Sequence, residues 1–238
     1  MSIPTLEVIN AGRLDYREAL AWQRDLARAR IEGRLGHDVL LLLEHPPVVT
    51  VGRSARGTPL PDAGDIPVAL VERGGDVTYH GPGQLVGYPI LDLTQHRADV
   101  HWYLRTLEQA LIIALADFAI PADRRPGYTG VWTRGGTRKI ASIGVHVKRW
   151  VTWHGFALNV TTDLSPFRRI VPCGIAGVEM TSVEREGGRG TREGSMWEET
   201  VDAVIRGFER AFGVTARRGE LTGVAVTTFL ATSTAPTT

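Results

Sequence analysis

Residues 138–160 read Arg138-Lys139-Ile140-Ala141-Ser142-Ile143-Gly144-Val145-His146-Val147-Lys148-Arg149-Trp150-Val151-Thr152-Trp153-His154-Gly155-Phe156-Ala157-Leu158-Asn159-Val160. Ile140 to Val147 and Val151 to Val160 are strand-like, and the polar break at Lys148-Arg149 suits a turn between them. With Val131 to Thr133 just upstream, the stretch predicts a meander. Before it, Val100, Leu104, Leu107, Leu111, Leu115 and Phe118 recur at helical spacing behind Asp99, a capping residue, so a core helix is expected from about Val100 to Phe118.

Further out the same alternation of classes continues. Val39 to Leu43 is a continuous apolar run of the kind a buried strand carries, and Val48 to Val51 gives a second short strand. Gly52 to Pro67 reads as a loop. Val68 to Val71, Val77 to Tyr79 and Leu85 to Leu91 are short β signals broken by Gly74-Gly75 and Gly81-Pro82-Gly83, a hairpin-like region. Asp15 to Ile31 has helical periodicity and stops at Gly33 and Gly36. A last helix is expected from Ser195, with Glu198 completing a capping box and Trp197, Val201, Val204, Ile205, Phe208 and Phe212 facing inward. Clustered strands with three helices and no regular βαβ alternation predict an α+β fold with a mixed, mainly antiparallel sheet and flanking helices. One domain over residues 1–238 is expected, with a frayed tail at about 231–238. The glycine-rich stretch Gly187 to Gly194 is the one place that could set the C-terminal helix apart.

Composition narrows the function classes. The 238 residues are 43% hydrophobic and 22% charged, which argues against disorder, collagen and coiled coil. Lys+Arg of 27 against Asp+Glu of 26 leaves a net charge of +1, too little to predict a nucleic-acid or membrane partner. Only Lys139 and Lys148 are lysines. A single cysteine, Cys173, excludes an intramolecular disulfide and a thiolate metal cluster. No signal-peptide pattern opens the chain and no apolar run could span a bilayer, so a cytoplasmic location is expected.

Several familiar chemistries are missing. Gly81-Pro82-Gly83-Gln84-Leu85-Val86-Gly87 has the wrong spacing for a dinucleotide loop, and Pro89 stands where its helix would continue. There is no Walker A loop, no GxSxG elbow and no HExxH pair. What remains is Arg73-Gly74-Gly75-Asp76-Val77-Thr78-Tyr79-His80-Gly81-Pro82-Gly83-Gln84, where glycines would let backbone approach a ligand; a hairpin with ordinary tight turns is the alternative. Cys173 sits in Val171-Pro172-Cys173-Gly174-Ile175, a bend able to present a thiol, although a lone cysteine is commonly a buried small hydrophobe. Lys139 opens its strand either as an exposed strand-end residue or as the base of a thiol–amine pair.

Taken in order, RGGDVTYHGPGQ with Tyr88-Pro89, then RKIASIG, HGFALN and PCGI, the sequence resembles the octanoyltransferases of lipoate biosynthesis over Arg73 to Ile175, with weaker likeness at Glu44-His45-Pro46-Pro47 and Gly52-Arg53. The resemblance implies the fold of the biotin and lipoate protein ligase catalytic domain. It implies transfer of an octanoyl group from octanoyl-acyl carrier protein to a lysine of a lipoyl domain, as in the E2 subunits of 2-oxoacid dehydrogenases and the glycine cleavage H protein. Cys173 would carry the acyl thioester, and Lys139 would lower its pKa and relay protons. The acyl pocket would be lined by Arg73, Gly74, Gly75, Asp76, Val77, Thr78, Tyr79 and His80, by Ser142, Ile143 and Gly144, and by Gly155, Phe156 and Ala157. His80 would lie near the reacting carbonyl. Thioester-to-thiol exchange is nearly isoenergetic and thioester-to-amine transfer is downhill, so no cofactor, ATP or metal is expected. An ATP-dependent ligase of the same fold and a non-catalytic acyl-binding protein are the rival readings.

Overall fold

The computed structural model of the protein describes residues 3–170, 178–187 and 195–219. In chain order its elements are β1 (Thr5–Arg13), α1 (Tyr16–Ile31), β2 (Asp38–Glu44), β3 (Val48–Val51), β4 (Val68–Leu70), β5 (Val77–His80), β6 (Gln84–Ile90), α2 (Val100–Ala116), β7 (Ala122–Arg125), β8 (Tyr128–Thr133), β9 (Arg138–Lys148), β10 (Val151–Asn159), β11 (Glu179–Met180), α3 (Met196–Phe212) and β12 (Thr215–Gly219). The frayed tail expected at 231–238, the stretch 188–194 and Cys173 lie outside the described residues.

Asp99 and Ser195 cap their helices as the sequence predicts, and Asp15 caps α1 as well. Asp15 accepts the Arg17 and Glu18 amides at the start of α1, Asp99 accepts the Trp102 amide at α2, and Ser195 accepts the Glu198 amide at α3. Each satisfies donors that a helix start otherwise leaves open, worth about 1 kcal/mol apiece.

The large sheet runs β12-β1-β2-β6-β10-β9-β8-β7, and β11 pairs with β9 off this path. The β12–β1, β1–β2 and β11–β9 pairs are parallel and the remainder antiparallel, which gives the expected mixed, mainly antiparallel sheet. Its two faces explain the unbroken apolar run of β2. Leu40 and Leu42 join the cluster of Tyr103, Leu107 and Leu111 of α2 with Val204 and Phe208 of α3, whereas Val39, Leu41 and Leu43 pack with Ala19 and Ala27 of α1. A strand covered on both sides has no polar face to alternate. Of the six α3 residues expected inside, Val201, Val204, Phe208 and Phe212 are buried, and Trp197 and Ile205 pack partly buried on the same core.

Two local expectations change. The β9–β10 connection turns on Arg149 and Trp150, both at positive φ (50° and 66°), one residue later than the polar break suggests. Two left-handed residues match the right-handed twist of a two-residue hairpin. The region from Val77 to Leu91 is no hairpin: β5 pairs with β3, which also carries β4 in a small three-stranded sheet, and β6 pairs with β2 and β10. Gly81-Pro82-Gly83-Gln84 closes with a Gln84 N–H to Gly81 O bond of 3.1 Å, and Gly83 has φ of +77°. That is a type II turn, with Pro pre-setting its first corner and Gly its second, and it passes the chain from the small sheet to the large one.

Candidate active site

The crossover places β5 and the loop before it over the middle of β9 and β10. Gly74 N–H donates to Val145 O at 2.8 Å and pins the loop to β9. Beneath lies a pocket with an empty volume of about 450 Å³, counting its open side. Arg73, Gly75 and Asp76 from the loop, Thr78 and His80 from β5, Ser142, Ile143 and Gly144 from β9, and Gly155, Phe156 and Ala157 from β10 all line it. Three segments far apart in sequence thus meet around one pocket. The period of two in β5 sorts the rest: Val77 and Tyr79 point the other way, into an apolar cluster with Val49, Val51 and Phe167. Gly74 backs the loop without lining the pocket.

Tyr16, Tyr88 and His154 also line the pocket, beyond the lining residues that the resemblance implies. Tyr16 hides in the apolar face of α1. His154 opens the HGFALN motif, beside Gly155. It is buried at φ of +55°, its amide donates to Gln23 Oε1 at 3.0 Å, and its Nε2 is 3.7 Å from Glu72 Oε1. A bulky residue in the left-handed region is strained, which is common where a side chain must be aimed.

A chain of polar groups fixes the wall. Arg73 donates through Nε and Nη2 to Thr50 Oγ1 at 3.3 and 2.9 Å, through Nη2 to Thr50 O at 2.7 Å, and through Nη1 to Gly74 O at 3.0 Å. His80 Nδ1 donates to Gln84 Oε1 at 2.8 Å, which leaves Nε2 to accept from Thr50 Oγ1 at 3.3 Å. Gln84 Nε2 donates to Asn159 Oδ1 at 3.0 Å, Asn159 Nδ2 to Thr181 O at 2.9 Å, and Thr181 N–H to Lys139 O at 3.0 Å. Burial first, then the neighbouring His45 and Arg73, hold the His80 imidazole well below its ordinary pKa. Burial also pushes His45 down to about 4 and lowers His154. The pKa of Glu72 falls as well, but for a carboxyl this favours the charged form: beside His154, and accepting from Arg24 and Trp153, it is held well below the carboxylate range. The pocket therefore carries neutral imidazoles around one guanidinium. Among the described residues, three buried polar atoms on its wall lack a hydrogen-bond partner: Thr78 Oγ1, Ser142 Oγ and His154 Nε2. Such groups are rare in folded proteins and suit a ligand's polar atoms.

Lys139 does not line this pocket. It is fully buried three residues before Ser142, about 10 Å along the same strand. Its backbone sits between β8 and β11, paired with Trp132 and Met180, and its Nζ lies 5.4 Å from the centre of the Trp132 ring. The exposed strand-end alternative is thereby excluded. Among the described residues no group of three or more His, Cys, Asp or Glu side chains could hold a metal, and no helix is long and apolar enough to cross a membrane.

The family model of the lipoyl protein ligase A/B catalytic domain matches residues 15–213. An octanoyltransferase of Gloeobacter violaceus is 51% identical over 215 residues, covering 90% of this chain and 93% of that protein. The chain belongs to the octanoyltransferase family. An octanoyltransferase of Geotalea uraniireducens is 54% identical over 183 residues, 77% of this chain and 84% of that one. Membership makes the protein an acyltransferase. Among solved structures, a lipoate-protein ligase A bound with ATP superposes with a TM-score of 0.74 at 17% identity, covering 97% of this chain and 94% of that one. At that identity the likeness shows the fold alone, and it is the α+β fold the motifs implied.

Proposed function

We propose that this octanoyltransferase-family member moves an octanoyl group from octanoyl-acyl carrier protein to a lysine of lipoyl domains, through a thioester on Cys173. The acceptors are the lipoyl domains of 2-oxoacid dehydrogenase E2 subunits and the glycine cleavage H protein. One observation carries the reading: three motif segments converge on a single pocket with apolar walls and orphaned polar atoms, and the strand that forms one wall holds a buried lysine near its start. In the first step the Cys173 thiolate attacks the donor's thioester carbonyl; the new C–S bond forms, the old one breaks, and the donor leaves as a thiol after taking a proton. In the second the acceptor amine attacks the Cys173 thioester, a C–N bond forms, the C–S bond breaks, and the amine proton passes to the departing thiolate. Lys139 would favour the thiolate and relay that proton.

His80 has a narrower part than a general base. With Nδ1 donating and Nε2 accepting inside a buried chain, it orients Gln84 and Thr50 and presents a neutral ring to the acyl chain. Thioester chemistry on a lone cysteine also fits a reducing compartment, in keeping with action in the cytoplasm.

The test is transfer of octanoyl from acyl carrier protein to a purified lipoyl domain in EDTA with a nucleotide-depleting enzyme present. Undiminished transfer is expected. Dependence on ATP would assign the protein to the adenylating ligases whose fold it shares.

A further inference from the structure

Glu108 lies on α2 at 0% exposure, a carboxylate with no part in the steps above. Its Oε1 accepts the Gly130 N–H at 3.0 Å, and its Oε2 accepts from Arg124 Nε at 3.1 Å and pairs with the Arg105 guanidinium, whose Nη1 lies 3.0 Å away. Arg124 is held in turn by Arg105 O and Gln109 Oε1, each at 2.9 Å. A buried carboxylate persists only when its charge is compensated, and here two guanidinium groups compensate it. What it grips on the sheet is the amide of one glycine in β8.

That glycine faces Lys139. A Cβ added to Gly130 would lie 2.6 Å from Lys139 Cε, 3.3 Å from Nζ and 2.7 Å from Ala141 O, so the lysine stem occupies room that only glycine leaves. Gly130 also has φ of +131°, a conformation L side chains rarely adopt. Strand pairing steps at this point from Val131–Ala141 to Trp132–Lys139, one extra residue on β9. Such a bulge re-aims side chains, and it puts Ile140 and Ala141 in the same core cluster while Lys139 turns towards Gly130 and Trp132.

We propose that Glu108 is a positioning residue for the Lys139 ammonium, acting through the Gly130 amide to hold the surface on which the lysine is seated. Its consequence for catalysis rests on the reading of Lys139 as the partner of the Cys173 thiol. The geometry makes Glu108 and Gly130 one unit: losing the acceptor frees the amide, and filling the glycine displaces the lysine.

The chain has two lysines, so labelling with lysine carrying ¹³C at Cε and ¹⁵N at Nζ gives two sets of resonances, the exposed Lys148 serving as internal reference. In Glu108→Gln the amide oxygen cannot serve both the arginines and Gly130; Gly130→Ala acts on the lysine directly and keeps the test alive should the first variant not fold. Leu107→Ala, on the same helix but packed in the core, controls for general loosening. Expected are displaced Lys139 resonances in Glu108→Gln and Gly130→Ala, with Lys148 unmoved and Leu107→Ala close to wild type. Cys173 alkylation by iodoacetamide at a fixed pH below the thiol pKa should slow in both variants, tenfold for each unit by which that pKa rises. Unmoved Lys139 resonances in a folded Glu108→Gln or Gly130→Ala, or equal movement in Leu107→Ala, would overturn the proposal. Lys139→Met separates the two claims: an unchanged alkylation profile there refutes the thiol–lysine pairing, while the resonances still decide the role of Glu108.

Discussion

Thr50→Val should be among the most informative single changes in the pocket, because it keeps the shape of the residue and deletes one oxygen. Thr50 is fully buried in β3, and its hydroxyl is fully used: it accepts twice from Arg73 and donates to His80 Nε2. Arg73 retains Thr50 O and Gly74 O, so the guanidinium is weakened rather than abandoned. Hydrogen bonds to a charged group are worth about 1.5–3 kcal/mol, and leaving the His80 nitrogen without its donor adds about 1 kcal/mol, so a loss of about 3 kcal/mol is expected. Thr50→Ser keeps the hydroxyl and should lose about 1 kcal/mol through the missing methyl. Urea unfolding of the three proteins measures this, with the m-value showing whether the transition remains two-state. Octanoyl transfer should fall in Thr50→Val with a rise in KM, because the wall proposed to hold the acyl chain loses its brace. Equal stability of the Val and Ser variants, within about 0.5 kcal/mol, would refute the role given to this hydroxyl and to the Arg73–Thr50–His80 chain.

Acid should weaken the fold through buried imidazoles. His45, pushed down to about 4, stays neutral in the native state while the unfolded chain takes up a proton below about 6.5, so stability falls as pH drops from about 6.5 towards 4 and by up to about 3 kcal/mol for this group; His80 and His154 act in the same direction, and chemical denaturation across that range should show a shallower slope in His45→Gln. Gly83→Ala places a methyl 2.7 Å from the Thr161 carbonyl carbon at φ of +77°, and should lower Tm well beyond what an exposed Gly→Ala change does, as calorimetry would show.

The parts of the fold legible in the sequence are those where burial leaves a pattern. The strands β2, β9 and β10 carry apolar runs because both faces or one face are covered, and the helices announce themselves through caps and period. The strands β7 and β12 are illegible for the opposite reason. The segments Ala122–Arg125 and Thr215–Gly219 lie at the two ends of the sheet, are half exposed, and hold arginines, as edge strands do to discourage pairing with other chains. The tie from β5 to β3 was hidden as well, since which strand β5 pairs with is a tertiary matter that a Gly-Pro-Gly turn does not specify. In the site, glycine-rich motifs marked the backbone of the pocket. Its aromatic members were harder to see, because Tyr16 obeys the same periodicity as a core residue. The environment of Lys139 was invisible from spacing: a glycine in β8 and the Trp132 ring face it, a bulge at Ile140 turns it, and a carboxylate on α2 holds that glycine's amide.

The central claim, that the acyl group passes through Cys173, is tested most directly by intact mass spectrometry of the protein mixed with octanoyl-acyl carrier protein. The account predicts one octanoyl adduct on the wild type, removed by hydroxylamine, discharged when a lipoyl domain is added, and absent from Cys173→Ala. An adduct that persists in Cys173→Ala, or transfer by that variant at the wild-type rate, would contradict it.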